Sequence, residues 1–370
     1  MRGHVNRQQP MFLMIDIEAR IPTDHPLRAI KRRTDAILVA MRGDFARAYS
    51  RQGRPGIPPE QLLKALLLQV LYSIRSEIQL MQAIDFNLLY RWFVDLPGDA
   101  PVWTPETFCM NRERFARHEL VRKFFDRIVA EAITDGLASP DHFTVDGTLI
   151  RSWASAKSLR PRDGATEGRD NPGNPAVDFH GERRTNATHV STTDPEARLA
   201  RKGKGKEAHL CHSGHVVMEN RHGLCLNVMV DAADGTAERR CTERMLARLR
   251  RRHRVTPRTV GMDKGFDDGP FLATLEEQGI VPHIPIKDGA IVATDAPGQA
   301  RRRARQRMKT RAYRTSQRIR KRVEEIFGWC KTVGRMARTH FVGRWKITQE
   351  MLITGAAYNL LRLAGLENAK

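Results

Sequence analysis

Two aspartates stand where a charged side chain is costly unless something compensates it. Asp146 lies inside FTVDGTLI, an alternating stretch rich in Thr, Val and Ile that predicts a strand, and Asp263 follows the apolar stretch TVGM before a glycine turn. A buried carboxylate costs several kcal/mol unless it is paired or binds a metal. Each aspartate taken alone is better explained as a turn or edge residue, and Asp267 and Asp268 are better placed to cap the next helix.

Glu324 is a third acid, and a helical projection separates it from its neighbour Glu325. A helix predicted over 316–337 carries its apolar side chains on one stripe, and Glu324 lies on the flank of that stripe in line with Arg320 and Lys331. Glu325 is rotated by a further 100° and faces solvent. An ordinary i,i+4 ion pair between Arg320 and Glu324 is the competing interpretation.

Together the three acids have the chemistry of a metal site. Carboxylates from two strands and one helix supply the hard oxygen ligands that Mg²⁺ prefers. A pair of such ions activates the attacking oxygen and stabilises the leaving oxygen of an in-line phosphoryl displacement. We therefore predict two Mg²⁺ ions at Asp146, Asp263 and Glu324, with Mn²⁺ as a substitute.

Positive charge surrounds these acids. The 370 residues include 63 Lys and Arg against 42 Asp and Glu, a net charge of +21, and the segment 301–322 has twelve bases and no acid. Such an excess predicts a polyanionic partner, usually nucleic acid, although a basic enzyme without one is the alternative. The bases predicted to contact DNA flank the acids: Lys264, Arg318, Arg320 and Arg322.

Helices and then strands are expected along the chain. Residues 1–139 show helical periodicity, notably a Leu-rich pattern from about 57 to 93, and predict an all-helical domain. Residues 140–365 alternate strand and helix signals, which predicts an α/β domain with a mixed sheet covered by helices. The polar, Gly- and Pro-rich stretch at about 160–208 predicts a long mobile insertion. A basic linker is expected before the 316–337 helix, and a last helix over about 348–364.

Cysteine usage and hydropathy set the expected compartment. The cysteines number five, an odd count, and form no C-x-x-C pair, which argues against a disulfide framework and fits a reducing environment. His209, Cys211, His212 and His215 alternate as in a strand, so zinc is disfavoured. No apolar run approaches the ~20 residues that span a membrane, and the N-terminus lacks a signal-peptide pattern. The sequence predicts a cytoplasmic protein.

These stretches resemble the DDE transposases of bacterial insertion sequences, in particular the insertion-sequence-five (IS5-like) group, over about residues 10–365. FTVDGTLIRSWAS is similar to the first-aspartate strand of that family, GMDKGFDD with GIVPHIPI to its second-aspartate block, and RVEEIFGWCKTVG to its glutamate helix. MFLMIDIEARIPTDHPLRAIK, LYRWFVDL and TFCMNRERF resemble its helical N-terminal domain. GKEAHLCHSGHVVMENRHGL and DGTAER resemble its middle segment.

The signature of the glutamate helix in this family is Tyr, two residues, Arg, three residues, Glu, six residues, Lys. Arg320, Glu324 and Lys331 match it, whereas Gln317 stands at the tyrosine position and Tyr313 lies one turn earlier. The resemblance implies a ribonuclease-H-like core and Mg-dependent cleavage at the terminal inverted repeats of the element. Water frees a 3′-hydroxyl, which then attacks target DNA. It further implies a homodimer, association with the nucleoid, and DNA contacts by Arg320 and Lys331.

Two other functions are compatible with the same scaffold. A catalytically silent DNA-binding regulator would need none of the three acids, and their presence disfavours it. A nuclease without strand transfer would cut DNA in a metal-dependent way and leave no joined products.

Overall fold

Helices form the first part of the chain and a mixed sheet the second. The computed structural model describes residues 16–50, 52, 56–162, 184–203, 205–291 and 294–368. Its architecture is therefore mixed α/β with a helical N-terminal region, as the sequence predicts. All five cysteines are free thiols, and no helix in the described ranges is long and apolar enough to cross a membrane.

Most of the N-terminal helices begin at a proline or a capping side chain. The eight helices are α1 Ile17–Arg20, α2 Pro26–Ala40, α3 Arg42–Ala48, α4 Pro59–Leu71, α5 Glu77–Phe86, α6 Leu88–Val94, α7 Pro105–Arg117 and α8 Leu120–Thr134. The apolar pattern from 57 to 93 spans three of them, because Ser76 and Asn87 cap new helices within it. Periodicity alone does not reveal these breaks.

A six-stranded mixed sheet forms the second part. Its strands are β1 His142–Arg151, β4 Arg198–Ala200, β5 His209–Glu219, β6 Cys225–Ala232, β7 Thr259–Gly261 and β8 Val281–His283. The order is β4-β5-β1-β7-β8, and β6 also pairs with β5. β5 is antiparallel to β1 and β6, whereas β1, β7 and β8 are parallel. Strands β2 Leu159–Pro161 and β3 His189–Ser191 form a separate pair.

Six helices complete this part: α9 Ala237–His253, α10 Gly269–Glu277, α11 Ala296–Arg307, α12 Arg311–Ile319, α13 Val323–Thr332 and α14 Arg344–Asn368. Helix α9 packs on one face, where Asn227 Nδ2 donates to the Met245 carbonyl at 3.0 Å. Helix α14 packs on the other, where Gly355 lies against Val228. Helix α13 contacts both α14 and β1, so it shares the α14 face.

Three predicted segments differ from the structure. The expected helix over 316–337 is divided, because a 3-10 turn at Arg320–Arg322 separates α12 from α13, which ends at Thr332. The expected basic linker contains α11. Within the expected insertion, residues 163–183 and 204 lie outside the described residues, and the remainder carries β3, β4 and the fully buried Asp194.

One apolar core joins the two parts. Helix α14 packs against α2, α4 and α8 as well as against β6, and most of the buried apolar side chains of both parts form one cluster. Ala154, Leu159, Ala197 and Leu210 form a small second cluster. Burial of this surface supplies most of the driving force for folding. A boundary between two domains at residue 139, with an insertion at 160–208, stays a prediction.

Candidate active site

The site lies where β7 ends beside a strand that continues. β7 pairs with β1 only as far as Gly261 opposite Thr144, whereas β1 runs on to Arg151. Asp263 and Asp146 each follow that last pair by two residues. Both therefore lie at the carboxyl end of β7, where β1 continues without it. Ligand sites of α/β sheets form at such carboxyl ends of parallel strands.

Asp146 is held in a charged, poorly solvated environment. Its Oδ1 accepts from the Gly147 amide at 2.8 Å, and its Oδ2 lies 3.4 Å from Arg320 Nη1. Burial raises the pKa of Asp146 to about 6, and the charges of Asp263 and Glu324 add to the rise, while the Gly147 hydrogen bond and Arg320 oppose it. The negative charges of Asp263 and Glu324 therefore act on Asp146 at this end of β7.

Asp263 lies in a tight turn after β7 that is anchored from α12. Its Oδ1 accepts from the Gly265 amide at 2.8 Å and caps the 3-10 turn Lys264–Phe266. Gln317 Nε2 donates to the carbonyls of Met262 at 3.2 Å and His283 at 2.6 Å. Gln317, which replaces the signature tyrosine, thus fixes the backbone immediately before Asp263.

Glu324 and Glu325 have different surroundings. Both are exposed in the first turn of α13, and the neighbouring Val323 and Ile326 are buried against the sheet. Glu325 pairs with Arg362 of α14 at 3.3 Å. The charge of Glu324 acts on Asp146 instead, so this acid is the one of the two that faces the site.

The predicted DNA contacts are spread around the acids. Lys264 is exposed and lies 3.6 Å from Asp288, and Arg318 is exposed on α12. Arg322 is directed elsewhere, since it donates to the carbonyls of Asn220 at 2.6 Å and Arg221 at 3.0 Å.

Lys331 lies further along α13, and burial together with the charge of Lys202 lowers its pKa. Seven residues of helix separate it from Glu324, about 10 Å along the axis. Lys331 therefore extends the positive surface away from the acids, toward Lys202 in the predicted insertion.

Helices α11 and α12 carry the run of bases at 301–322. Several of these bases are paired: Arg301 with Asp267 at 2.9 Å, and Arg303 and Arg307 with Glu276. The exposed members of the run on or between these helices, of which Arg303 is also one of the paired bases, are Arg302, Arg303, Lys309, Arg311, Arg314 and Arg318. Asp268 caps α10 as predicted, because its side chain accepts from the Phe271 amide.

The donor set suits a hard divalent cation. All three predicted ligands are carboxylates, the oxygen donors that Mg²⁺ and Mn²⁺ prefer, and one arginine is paired with them. In the described residues no three His, Cys, Asp or Glu side chains converge closely enough to hold an ion as they stand. Binding an ion between the acids therefore requires them to approach one another.

A further carboxylate, which the sequence does not single out, borders the site. Burial raises the pKa of Glu238, and the charges of Asp263 and Asp146 raise it further. Glu238 lies in the first turn of α9, within the stretch DGTAER. An acid in that position is ordinary for any helix, so residue type and spacing carry no signal for a site.

Two family models match separate parts of the chain. A family model described as Transposase domain (DUF772) matches residues 15–114, and one described as Transposase DDE domain matches residues 186–360, which include Asp263 and Glu324 but not Asp146. No curated protein and no solved structure matches the chain. The two family matches, together with the carboxylates at the end of β7, indicate that this chain is a transposase of the DDE type.

Proposed function

We propose that this transposase cleaves DNA at the terminal inverted repeats of its own element and joins the freed 3′-hydroxyl ends to target DNA. The observation that carries the proposal is geometric: Asp146 and Asp263 each lie two residues beyond the last pair of β1 with β7, and Arg320, one turn before Glu324, lies 3.4 Å from Asp146. The second part of the chain also matches the Transposase DDE domain. A mixed sheet with β5 antiparallel and helices on both faces is compatible with a ribonuclease-H-like core. The quoted motifs favour the IS5-like group.

Asp146, Asp263 and Glu324 would hold two divalent cations, Mg²⁺ or Mn²⁺. Such cations, when bound, supply the positive charge that stabilises the attacking and leaving oxygens of a phosphoryl displacement. The same carboxylates serve both hydrolysis and strand transfer, because each is an attack of a hydroxyl oxygen on a phosphodiester.

Arg320 connects the acids to the DNA. Its guanidinium lies 3.4 Å from Asp146, and its buried Nε has no hydrogen-bond partner within the part of the chain that the structure describes. If the charge of Asp146 is neutralised by a bound cation, Arg320 can turn to a phosphate oxygen near the cleaved bond. Lys264, Arg318 and Lys331 bind the flanking backbone, and their contacts make the affinity depend on salt.

Recognition of the element ends falls to the helical part. We assign DNA-end binding and dimerisation to residues 1–139, which contain the match to the Transposase domain (DUF772) at 15–114. A homodimer on paired ends follows from analogy with transposases that act on two DNA ends. Arg322 contributes to DNA binding only if it leaves the carbonyls that it now contacts.

The test uses end-labelled duplex DNA with the sequences that flank the gene, purified protein and Mg²⁺ or Mn²⁺. Asp146→Asn removes one ligand charge with little change in shape, and Asp268→Asn is the matched control because Asn also caps a helix. We expect wild type and Asp268→Asn to cut at the repeat ends and join them to target DNA. Asp146→Asn should bind the DNA but cut it at least ~10³-fold more slowly, as loss of a charge-stabilising group does.

Other results would exclude the proposal. Cleavage retained by Asp146→Asn would remove this acid from the chemistry. Tight binding without a cut by the wild type under either metal would identify a regulator. Cuts without joined products would identify a nuclease that lacks strand transfer.

A further inference from the structure

Glu238 approaches the site from the face opposite to Asp146. On β1 and β5, Asp146 is paired with Val216 and Gly147 with His215, so the side chains of Asp146 and His215 leave opposite faces of the sheet. Helix α9, which carries Glu238, packs on the His215 face. The carboxylates of Asp146 and Glu238 thus border the open end of β7 from its two sides.

Two glycines allow this approach. A β-carbon on Gly147 would lie 3.3 Å from Glu238 Oε1, and one on Gly265 would lie 3.4 Å from Glu238 Oε2 and 3.0 Å from Asp263 Oδ1. Glu238 therefore spans the gap between β1 and the turn of Asp263. A side chain at either glycine would crowd the Glu238 carboxylate.

The carboxylate of Glu238 has no fixed partner in the described part of the chain. It accepts no hydrogen bond and forms no ion pair there; only its backbone carbonyl is bonded, to Thr242 at 2.7 Å. Glu219, a buried acid on β5, shows the structural alternative, since its carboxylate accepts from the backbone amides of Arg221 and His222. A half-buried acid without such partners beside Asp263 costs stability, unless a ligand uses it.

His215, which lies beside Glu238, is independent evidence that a hydrogen-bonding group is missing at this place. Its side chain is fully buried, and among the described residues neither ring nitrogen has a hydrogen-bond partner. Its Nδ1 lies 3.0 Å from the position that a β-carbon on Gly147 would take, the same position that Glu238 Oε1 borders at 3.3 Å. Buried polar atoms of this kind normally have partners, so the ring is poised to bond the carboxylate or a bound water.

We propose that Glu238 is a fourth carboxylate of the divalent-cation site, completing it from the α9 face, and that His215 positions this carboxylate. The proposal rests on the proposed function, because it concerns the same cations. The ligand class is a hard divalent cation, Mg²⁺ or Mn²⁺, with its bound water. Glu238 contributes an oxygen ligand, either directly or through that water, while His215 acts through Glu238.

The test measures Mn²⁺ binding to the full chain without DNA, by titration with electron paramagnetic resonance detection of free Mn²⁺. Glu238→Gln keeps the size of the side chain and removes its charge, and Glu243→Gln on the exposed side of α9 is the matched control. We expect Glu238→Gln to weaken Mn²⁺ binding by about tenfold or more and Glu243→Gln to leave it unchanged. Glu238→Asp, which retains the charge but shortens the reach, should fall between wild type and Glu238→Gln.

His215→Gln, read by the same titration, should weaken Mn²⁺ binding less than Glu238→Gln and add little when combined with it, since both changes affect one ligand. Thermal unfolding of each variant in EDTA reports whether it is folded, and Glu238→Asp serves if Glu238→Gln does not fold. Wild-type affinity in folded Glu238→Gln overturns this inference alone. Failure of the wild type to bind Mn²⁺ overturns both the inference and the proposed metal site.

Discussion

Two of the charged clusters in the described residues differ in how their charges are balanced, and the one between α2, α4 and the end of α6 is neutral. Lys64 on α4 is 1% exposed and pairs with Asp35 and Asp95. Lys31 on α2 contacts the same two carboxylates. Two bases and two acids therefore alternate in a neutral cluster that ties α2 and α4 to the end of α6.

The end of β7 leaves its charges unbalanced. Asp146, Asp263 and Glu324 interact there, and Arg320 is the base that contacts Asp146. The rise in the pKa of Asp146 shows that burial and like charge outweigh this one arginine. The balanced cluster stabilises the fold by itself, whereas the unbalanced one costs stability and is suited to bind a positive ligand.

The largest effect on stability should come from unbalancing the helical cluster. Asp35→Asn combined with Asp95→Asn leaves Lys64 buried without an acid, and the free energy of unfolding should fall by about 3–5 kcal/mol. Asn tolerates the left-handed backbone at Asp95, where φ is 56°, so the backbone is not the cause. Urea unfolding measures the change, with exposed Asp99→Asn as control, and a loss below about 1 kcal/mol would contradict the comparison.

At the candidate active site, removal of an acid should raise the free energy of unfolding instead of lowering it. The pKa of Asp146 lies above that of an unfolded chain, so its ionisation costs stability as the pH rises from about 4 to about 6, and the full cost is present above that window. In EDTA at pH 8, the free energy of unfolding of Asp146→Asn should therefore be about 2 kcal/mol higher than that of wild type. This gain should shrink as the pH falls through 6 and vanish near pH 4; a destabilised Asp146→Asn at pH 8 would refute it.

A smaller effect is expected at the support of the site. Gln317→Leu removes the donor to the carbonyls of Met262 and His283 and should cost about 1–2 kcal/mol, the value of a buried hydrogen bond left unmade. Because the turn of Asp263 loosens, cleavage should also slow. Gln306→Leu on the exposed side of α11 is the control. Equal stability and cleavage rate in the two variants would show that Gln317 does not position Asp263.

Local patterns in the sequence predict the class of fold and the candidate acids. Alternation predicts β1, and helical spacing distinguishes Glu324 from Glu325, because both depend on neighbours within one element. The sequence does not predict the break at Arg320–Arg322 in the helix expected over 316–337, since bases with good helix propensity occupy it. Glu238 was missed because its relation to Asp263 depends on how α9 packs across the sheet and on the space left at Gly147 and Gly265.

The most direct test of the central claim compares two adjacent acids in DNA cleavage. Glu324→Gln and Glu325→Gln make the same chemical change one residue apart on α13, so folding and DNA binding should be affected alike. With Mg²⁺ and labelled DNA carrying the element ends, Glu324→Gln should lose at least ~10³-fold in cleavage rate. Glu325→Gln, which loses only a surface ion pair with Arg362, should stay within about twofold of wild type. Equal activities of the two variants would contradict the assignment of the acid site to Asp146, Asp263 and Glu324.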